Sequence, residues 1–172
     1  MKKQFELNAS ILENPVFSGL SHSEADELAN YCETQVLSAG EKLFSQGEDA
    51  IGMFILFQGK LEIRVQDSKD NEHLVGIVEE GEVFGEMSVL DYMKRSASCY
   101  SLEESLVLYI PGLGFREMLR TGAPAIHCLL QFILKRACSR LRSLDLRLDE
   151  LFIKDNKKRE SIEGNPLSEE IK

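Results

Sequence analysis

The sequence predicts a mainly β chain with helical ends: a barrel or sandwich of short antiparallel strands, with a jelly roll favoured. Three observations carry this. From Gln35 to Ile110, short β-rich runs alternate with glycine-bearing turns. No helix separates consecutive strands before Gly81, which argues against a doubly wound parallel sheet. On either side of this block the patterning is helical, with recognisable start and stop signals. The chain has 172 residues, 43% hydrophobic and 28% charged, the proportions of one globular domain. It is too short for a TIM barrel or a dehydrogenase with a separate substrate domain.

Residues 1–34 form a helical lead-in. Positions 11–33 read as helical, and Ser21 with Glu24 fits a capping box ahead of ADELANYC. Leu20, Leu28 and Tyr31 supply an inward stripe. Residues 35–110 are the β block. QVLS is followed by Ala39-Gly40, and EKLFSQ by Gly47. IGMFILF meets KLEIRVQ across Gln58-Gly59, read as a two-residue hairpin turn. DSKDNE, residues 67–72, is a polar hairpin loop before HLVGIV. Glu80-Gly81 marks another turn, and SASCYS and SLVLYI end the block.

Residues 111–152 return to helix. GLGFREMLRT is one short helix, broken at Thr121-Gly122-Ala123-Pro124, and Pro124 suits the first turn of a longer one. Leu130, Leu134, Ala137, Leu141, Leu144, Leu148 and Leu151 recur at alternating gaps of 4 and 3. That is the a/d seam of a two-stranded coiled coil, flanked here by Arg140, Arg142, Asp145, Arg147, Asp149 and Glu150. A homodimer through residues 130–151 is therefore expected ahead of a helix that only packs its stripe on its own barrel. Residues 153–172, mostly charged and polar, are expected to be a disordered tail.

Several functions are disfavoured at once. The formal charge of −9, from 29 acids against 20 bases, repels nucleic acid phosphates. No apolar run approaches the roughly 20 residues of a membrane helix. MKKQFELNAS has no apolar signal region, so a cytoplasmic location is expected. Cys32, Cys99, Cys128 and Cys138 form no C-x-x-C pair and are read as reduced thiols. His22, His73 and His127 lie too far apart for a histidine metal motif, so no metal or cofactor is expected, nor an enzymatic cupin. No nucleophile elbow or Walker loop is present, and the chain is not read as an enzyme.

The stretch that carries chemistry is FGEMSVLDYMKRSAS, residues 84–98. Gly85 permits a close backbone approach. Glu86 follows it, and nine residues later come Arg95, Ser96 and Ala97. SVLDYM reads as a short helical turn with free N–H groups toward the glycine end. A helix N-terminus with an arginine fork suits a phosphate, and a carboxylate beside them suits a sugar hydroxyl. A sugar phosphate is one reading. A Glu86–Arg95 salt bridge at a barrel turn is an equal alternative.

The chain resembles the cyclic nucleotide-binding domain family from about Asn14 to Leu151. NPVFSGLSHSEADELA is similar to the family's helical lead-in. AGEKLFSQGEDAIGMFILFQGKLEI is similar to its opening strands, with Gly40, Gly47 and Gly59 at its glycine turns. FGEMSVLDYMKRSAS is similar to its phosphate-binding cassette. The resemblance implies an eight-stranded jelly roll around a cyclic nucleotide. It implies that Glu86 binds the ribose 2′-hydroxyl and Arg95 the cyclic phosphate. Phe84, Gly85, Met87, Ser88, Ser96 and Ala97 would belong to the same pocket. Lys94 stands where proline is usual before the arginine, and Ser88 where alanine is common. The family's last helix closes over the purine, which makes Ser139, Arg140, Arg142 and Ser143 the candidates there.

The expected function is a stand-alone cyclic nucleotide sensor, with cAMP preferred to cGMP, that signals through its C-terminal helices to a separate protein effector. The alternative is a ligand-free jelly-roll module for dimerisation or docking. Relatives that regulate transcription carry a helix-turn-helix after the long helix, and residues 152–172 are too few and too polar for one.

Overall fold

The computed structural model of the protein describes residues 11–163. They fall into two compact units, one through Ile133 and one from Leu134 onward.

The lead-in is not one helix. After a helical turn at 11–13, Asn14 caps a 3₁₀ turn, Pro15–Phe17, its Oδ1 accepting the Val16 N–H at 2.9 Å. The chain reverses at Gly19, whose φ of 104° is open to glycine, before helix α1, His22–Ala29. Both halves of the capping box form. Ser21 Oγ accepts the Glu24 N–H at 3.4 Å, and the Ser21 N–H donates to Glu24 Oε2 at 2.7 Å.

Eight strands follow: β1 Glu33–Leu37, β2 Lys42–Phe44, β3 Gly52–Gln58, β4 Leu61–Gln66, β5 Glu72–Val78, β6 Val83–Phe84, β7 Ser98–Ser101 and β8 Ser105–Pro111. They form two antiparallel sheets of four, ordered β1-β8-β3-β6 and β2-β7-β4-β5. This is the jelly roll that the sequence predicts.

The register corrects one turn. β3 pairs with β6 and β8, while β4 pairs with β5 and β7, so Gln58-Gly59 does not close a hairpin. It carries the chain from one sheet to the other. β3 buries side chains on both faces and lies between β8 and β6 in its sheet. The Gly59 N–H donates to Glu80 Oε1 at 2.9 Å and fixes the crossing. The loop at 67–72 does join the hairpin β4–β5. The Asp67 carboxylate accepts from His73 Nε2 at 2.9 Å and from the N–H groups of Lys69 and Asn71 at 2.8 and 3.0 Å. These bonds, the one from His73 foremost, hold its carboxyl below the usual carboxylate range.

Three helices complete the fold: α2 Met87–Leu90, α3 Gly112–Thr121 and α4 Pro124–Glu163. α3 buries Phe115 and Met118 and stops at Gly122, whose left-handed φ of 70° lets its N–H bond the Met118 carbonyl at 3.0 Å. α4 starts at Pro124 and stays helical to Glu163, so residues 153–163, expected to be disordered, are helix. The tail from 164 onward lies outside the described residues.

Alternation along the strands makes two cores. Met53 and Ile55 on β3, Val83 on β6, and Leu108 and Ile110 on β8 face the helices. There they meet Leu28 of α1, Phe115 and Met118 of α3, and Ile126, Leu129 and Ile133 of α4. The intervening residues Phe54, Leu56, Phe84 and Val107 face the inside of the roll with Phe44, Leu61 and Cys99.

Candidate functional site

The segment between β6 and β7 is built to hold one arginine. Gly85 follows β6 with φ at 68°, Glu86 leads into α2, and Tyr92 turns the chain back with φ at 61°. Ser88 is buried and its hydroxyl donates to the Lys94 carbonyl at 3.2 Å, closing the loop across its own base. Arg95 then pairs through its backbone with the turn before β3. Its N–H donates to the Glu48 carbonyl and its carbonyl accepts the Gly47 N–H, both at 2.8 Å. The next tie is between the Gln46 N–H and Ser98 Oγ, at 3.0 Å.

The side chain is fixed as firmly as the backbone. Arg95 is only 5% exposed. Its Nη1 donates to the Gly85 carbonyl at 2.6 Å and its Nη2 to the Gly52 carbonyl at 2.7 Å. Its Cζ lies 4.3 Å from the Phe44 ring centre and 5.7 Å from that of Phe54. Gly85 is necessary to this packing, because a Cβ there would come within 2.8 Å of Arg95 Nη1. Burial pulls the guanidinium below arginine's usual range, opposed by the fields of Tyr109, Glu48, Cys99 and Glu86. An arginine so placed stays cationic, since its ordinary value lies far above neutrality.

Glu86 is buried nearby, 8% exposed. The structure therefore brings together Phe84, Gly85, Glu86 and Arg95 at the end of the inner core. Ala97 is buried behind them, while Ser96 and Met87 are exposed on the outer side. Lys94 is also exposed, with Nζ 3.9 Å from Asp49. A buried cation with unspent N–H donors, beside a buried carboxylate, can take an anion and a hydroxyl on one small ligand. The candidates on α4, Ser139, Arg140, Arg142 and Ser143, belong to the second unit and are exposed; Ser143 Oγ donates to the Ser139 carbonyl within the helix.

Two participants, Phe44 and Gly52, escape the sequence reading, and the Gly47 turn is read there without its pairing to Arg95. The only local signals of the first two are a phenylalanine before a polar turn and a glycine within an apolar run.

Among the described residues, no group of three or more His, Cys, Asp or Glu side chains could hold a metal ion. Nor, among them, is any helix long and apolar enough to cross a membrane. All four cysteines are free thiols. Burial pushes the Cys32 and Cys99 thiols up to about 12, which disfavours their thiolate forms.

A family profile for the cyclic nucleotide-binding domain matches residues 34–121. The cyclic AMP receptor protein of Thermus thermophilus is 28% identical over 146 residues, covering 85% of this chain and 66% of that protein. A cAMP-dependent protein kinase regulatory subunit of Mycosarcoma maydis is 32% identical over 88 residues, 51% of this chain and 17% of that one. The crystal structure of the Thermus thermophilus catabolite activator protein superposes with a TM-score of 0.67 at 31% identity, covering 80% of this chain and 62% of that one. A cyclic nucleotide-binding domain from Methylobacillus flagellatus shares the fold over 99% of this chain and 88% of that one, with a TM-score of 0.70 at 19% identity. The chain thus spans no more than about two thirds of the receptor protein and about a sixth of the kinase subunit.

Proposed function

The chain belongs to the cyclic nucleotide-binding domain family, and from that premise we propose that it is a cAMP sensor in which Arg95 holds the cyclic phosphate and Glu86 the ribose 2′-hydroxyl. The observation that carries this reading is the pinned, buried guanidinium of Arg95. A buried cation costs stability unless an anion or a set of dipoles repays it. Here two carbonyls repay part, and the remaining donors suit a phosphate oxygen. Glu86, nine residues before Arg95 and likewise buried, sorts ligands by their sugar. Adenine is preferred to guanine, with Ser139, Arg140, Arg142 and Ser143 as the residues that meet the base.

The signal is a population shift. A phosphate drawing on the remaining Arg95 donors pulls on the guanidinium that the Gly52 and Gly85 carbonyls hold. Gly52 follows Ile51, whose carbonyl accepts the Gly112 N–H at 2.8 Å, the first residue of α3. Movement at Arg95 therefore reaches the C-terminal helices through one strand end. A separate protein partner reads that movement, and the working unit is a homodimer joined along residues 130–151, in the cytoplasm. Leu134, Leu141, Leu144 and Leu148 are between 51 and 62% exposed, which supports a stripe awaiting a second copy. Leu151, the last seam position, has a side chain outside the described residues.

Titration calorimetry with cAMP, cGMP and 5′-AMP tests the reading. Micromolar or tighter binding of a cyclic nucleotide, with 5′-AMP much weaker, is expected. No heat and no thermal shift with either cyclic nucleotide would leave a jelly-roll docking module.

A further inference from the structure

We propose that Phe44 is a positioning residue of this site: its ring fixes the plane of the Arg95 guanidinium that meets the phosphate. The proposal rests on the reading of Arg95 as the phosphate's partner.

Two carbonyls fix the guanidinium only within its own plane. The Gly85 and Gly52 oxygens accept from Nη1 and Nη2, and rocking about the line between those bonds would cost little. What opposes rocking is a surface against the flat face. The Phe44 ring supplies it, 4.3 Å from Cζ, in the range where a ring face attracts a cation. The attraction is stronger out of water, and Arg95 is almost wholly out of water.

The ring is itself held. It stacks on Phe54 at 5.9 Å and 21° and on Phe84 at 6.4 Å and 26°. Phe54 in turn touches Phe84 and Tyr109 at 5.4 and 5.2 Å. The Tyr109 hydroxyl donates to the Ile51 carbonyl at 3.1 Å, next to the Gly52 carbonyl that Arg95 uses. The same strand end thus anchors the fork and the aromatic tier. The β2–β7 pairing also shifts register between Lys42 and Phe44, an irregularity of the kind that re-aims a side chain. The missing side chain of Gly85 leaves the room, since a Cβ there would lie 2.8 Å from Nη1 and 3.5 Å from Phe44 Cε1.

A leucine at 44 would keep an apolar side chain of similar bulk and lose the flat face. If Phe44 only fills the core, affinity should follow thermal stability across substitutions. If it positions Arg95, affinity should follow the presence of an aromatic face.

Arginine-selective ¹H–¹⁵N spectra of the ligand-free full chain give the first test. We expect Arg95 Nε and Nη protons shifted upfield and resolved in the wild type and in Phe44→Tyr, and collapsed in Phe44→Leu. Spectra unchanged by Phe44→Leu would overturn the proposal. Calorimetry with cAMP gives the second. Phe44→Leu should weaken binding about tenfold and Phe44→Tyr by less than about threefold, the scale of one desolvated cation–π contact. In an Arg95→Lys background, Phe44→Leu should cost less than about threefold, because an ammonium has no plane for the ring to fix. Equal losses in both backgrounds would overturn it. If Phe44→Leu does not fold, Phe44→Met makes the same comparison. If the wild type binds neither cAMP nor cGMP, the ligand reading fails, while the spectra still decide whether Phe44 positions Arg95.

Discussion

The two sides of the sheet β1-β8-β3-β6 bury comparable strands to different ends. The helix-facing side is a large cluster, mostly aliphatic, with Ile55, Leu108, Ile110, Met118 and Leu129 all fully buried. The inner side is smaller, and three phenylalanines dominate it. Aliphatic packing excludes charge. An aromatic tier presents ring faces, and one of them carries the guanidinium of Arg95. The same alternation of residues along β3 serves both, stability on one face and a seat for a cation on the other.

If that division holds, substitutions on the two sides should separate affinity from stability. The largest effect belongs to Arg95→Ala. It leaves the ligand's phosphate buried without a partner, costing roughly 3–5 kcal/mol of binding. Calorimetry with cAMP measures it, and wild-type affinity in this variant would place the ligand elsewhere. Leu108→Ala, on the other side of the same sheet, should cost about 2–5 kcal/mol of stability by opening a cavity. Chemical denaturation reads that loss. The affinity of the remaining folded protein should change little, and a parallel loss of affinity would break the comparison. Glu86→Ala comes next, at about 1.5–3 kcal/mol of binding, the worth of a hydrogen bond to a charged acceptor. Its effect should vanish with a ligand that lacks the 2′-hydroxyl.

Gly85→Ala sharpens the comparison further. At φ 68° an alanine costs about 1–2 kcal/mol in backbone strain. Its Cβ would also press on Arg95 Nη1. It should therefore lower stability and affinity together, unlike any change on the helix-facing side.

What the sequence could reveal follows from distance along the chain. Gly85, Glu86 and Arg95 lie within one loop, so their spacing alone narrows the stretch to a sugar-phosphate site or a Glu86–Arg95 salt bridge. The capping box at Ser21 and the break at Gly122 are equally local, and both form. Gly52 is 43 residues from Arg95, and no local pattern joins them. The Gln58-Gly59 turn was legible as a turn and not as a crossing, because the same two residues serve whichever sheet receives the next strand. Helix α4 runs past residue 152 because lysine, arginine and glutamate, the polar residues expected of a disordered tail, are also good helix formers.

The smallest effect on either core should come from the second unit. Leu141 and Leu148 are 61 and 51% exposed, so replacing both with aspartate removes no contact inside either core. Surface changes of this kind usually alter stability by no more than about 0.5 kcal/mol. In a parallel coiled coil the result is different. Leu134, Leu141 and Leu148 would share one seam position, and Leu130, Ala137, Leu144 and Leu151 the other. Each buried leucine is worth roughly 1.5–3 kcal/mol, and aspartates in the seam add like-charge repulsion. Light scattering at micromolar concentration should give the wild type a mass near twice 19.4 kDa, or 38.8 kDa, and the double variant a mass near 19.4 kDa. A wild-type mass of 19.4 kDa would remove the dimer and leave the leucine stripe without an assigned partner. If α4 also covers the purine, the monomeric variant should bind cAMP more weakly than the wild type while Arg95 keeps its ring-shifted spectrum. Unchanged affinity in that variant would confine recognition of the ligand to the first unit, where Glu86 and Arg95 already lie.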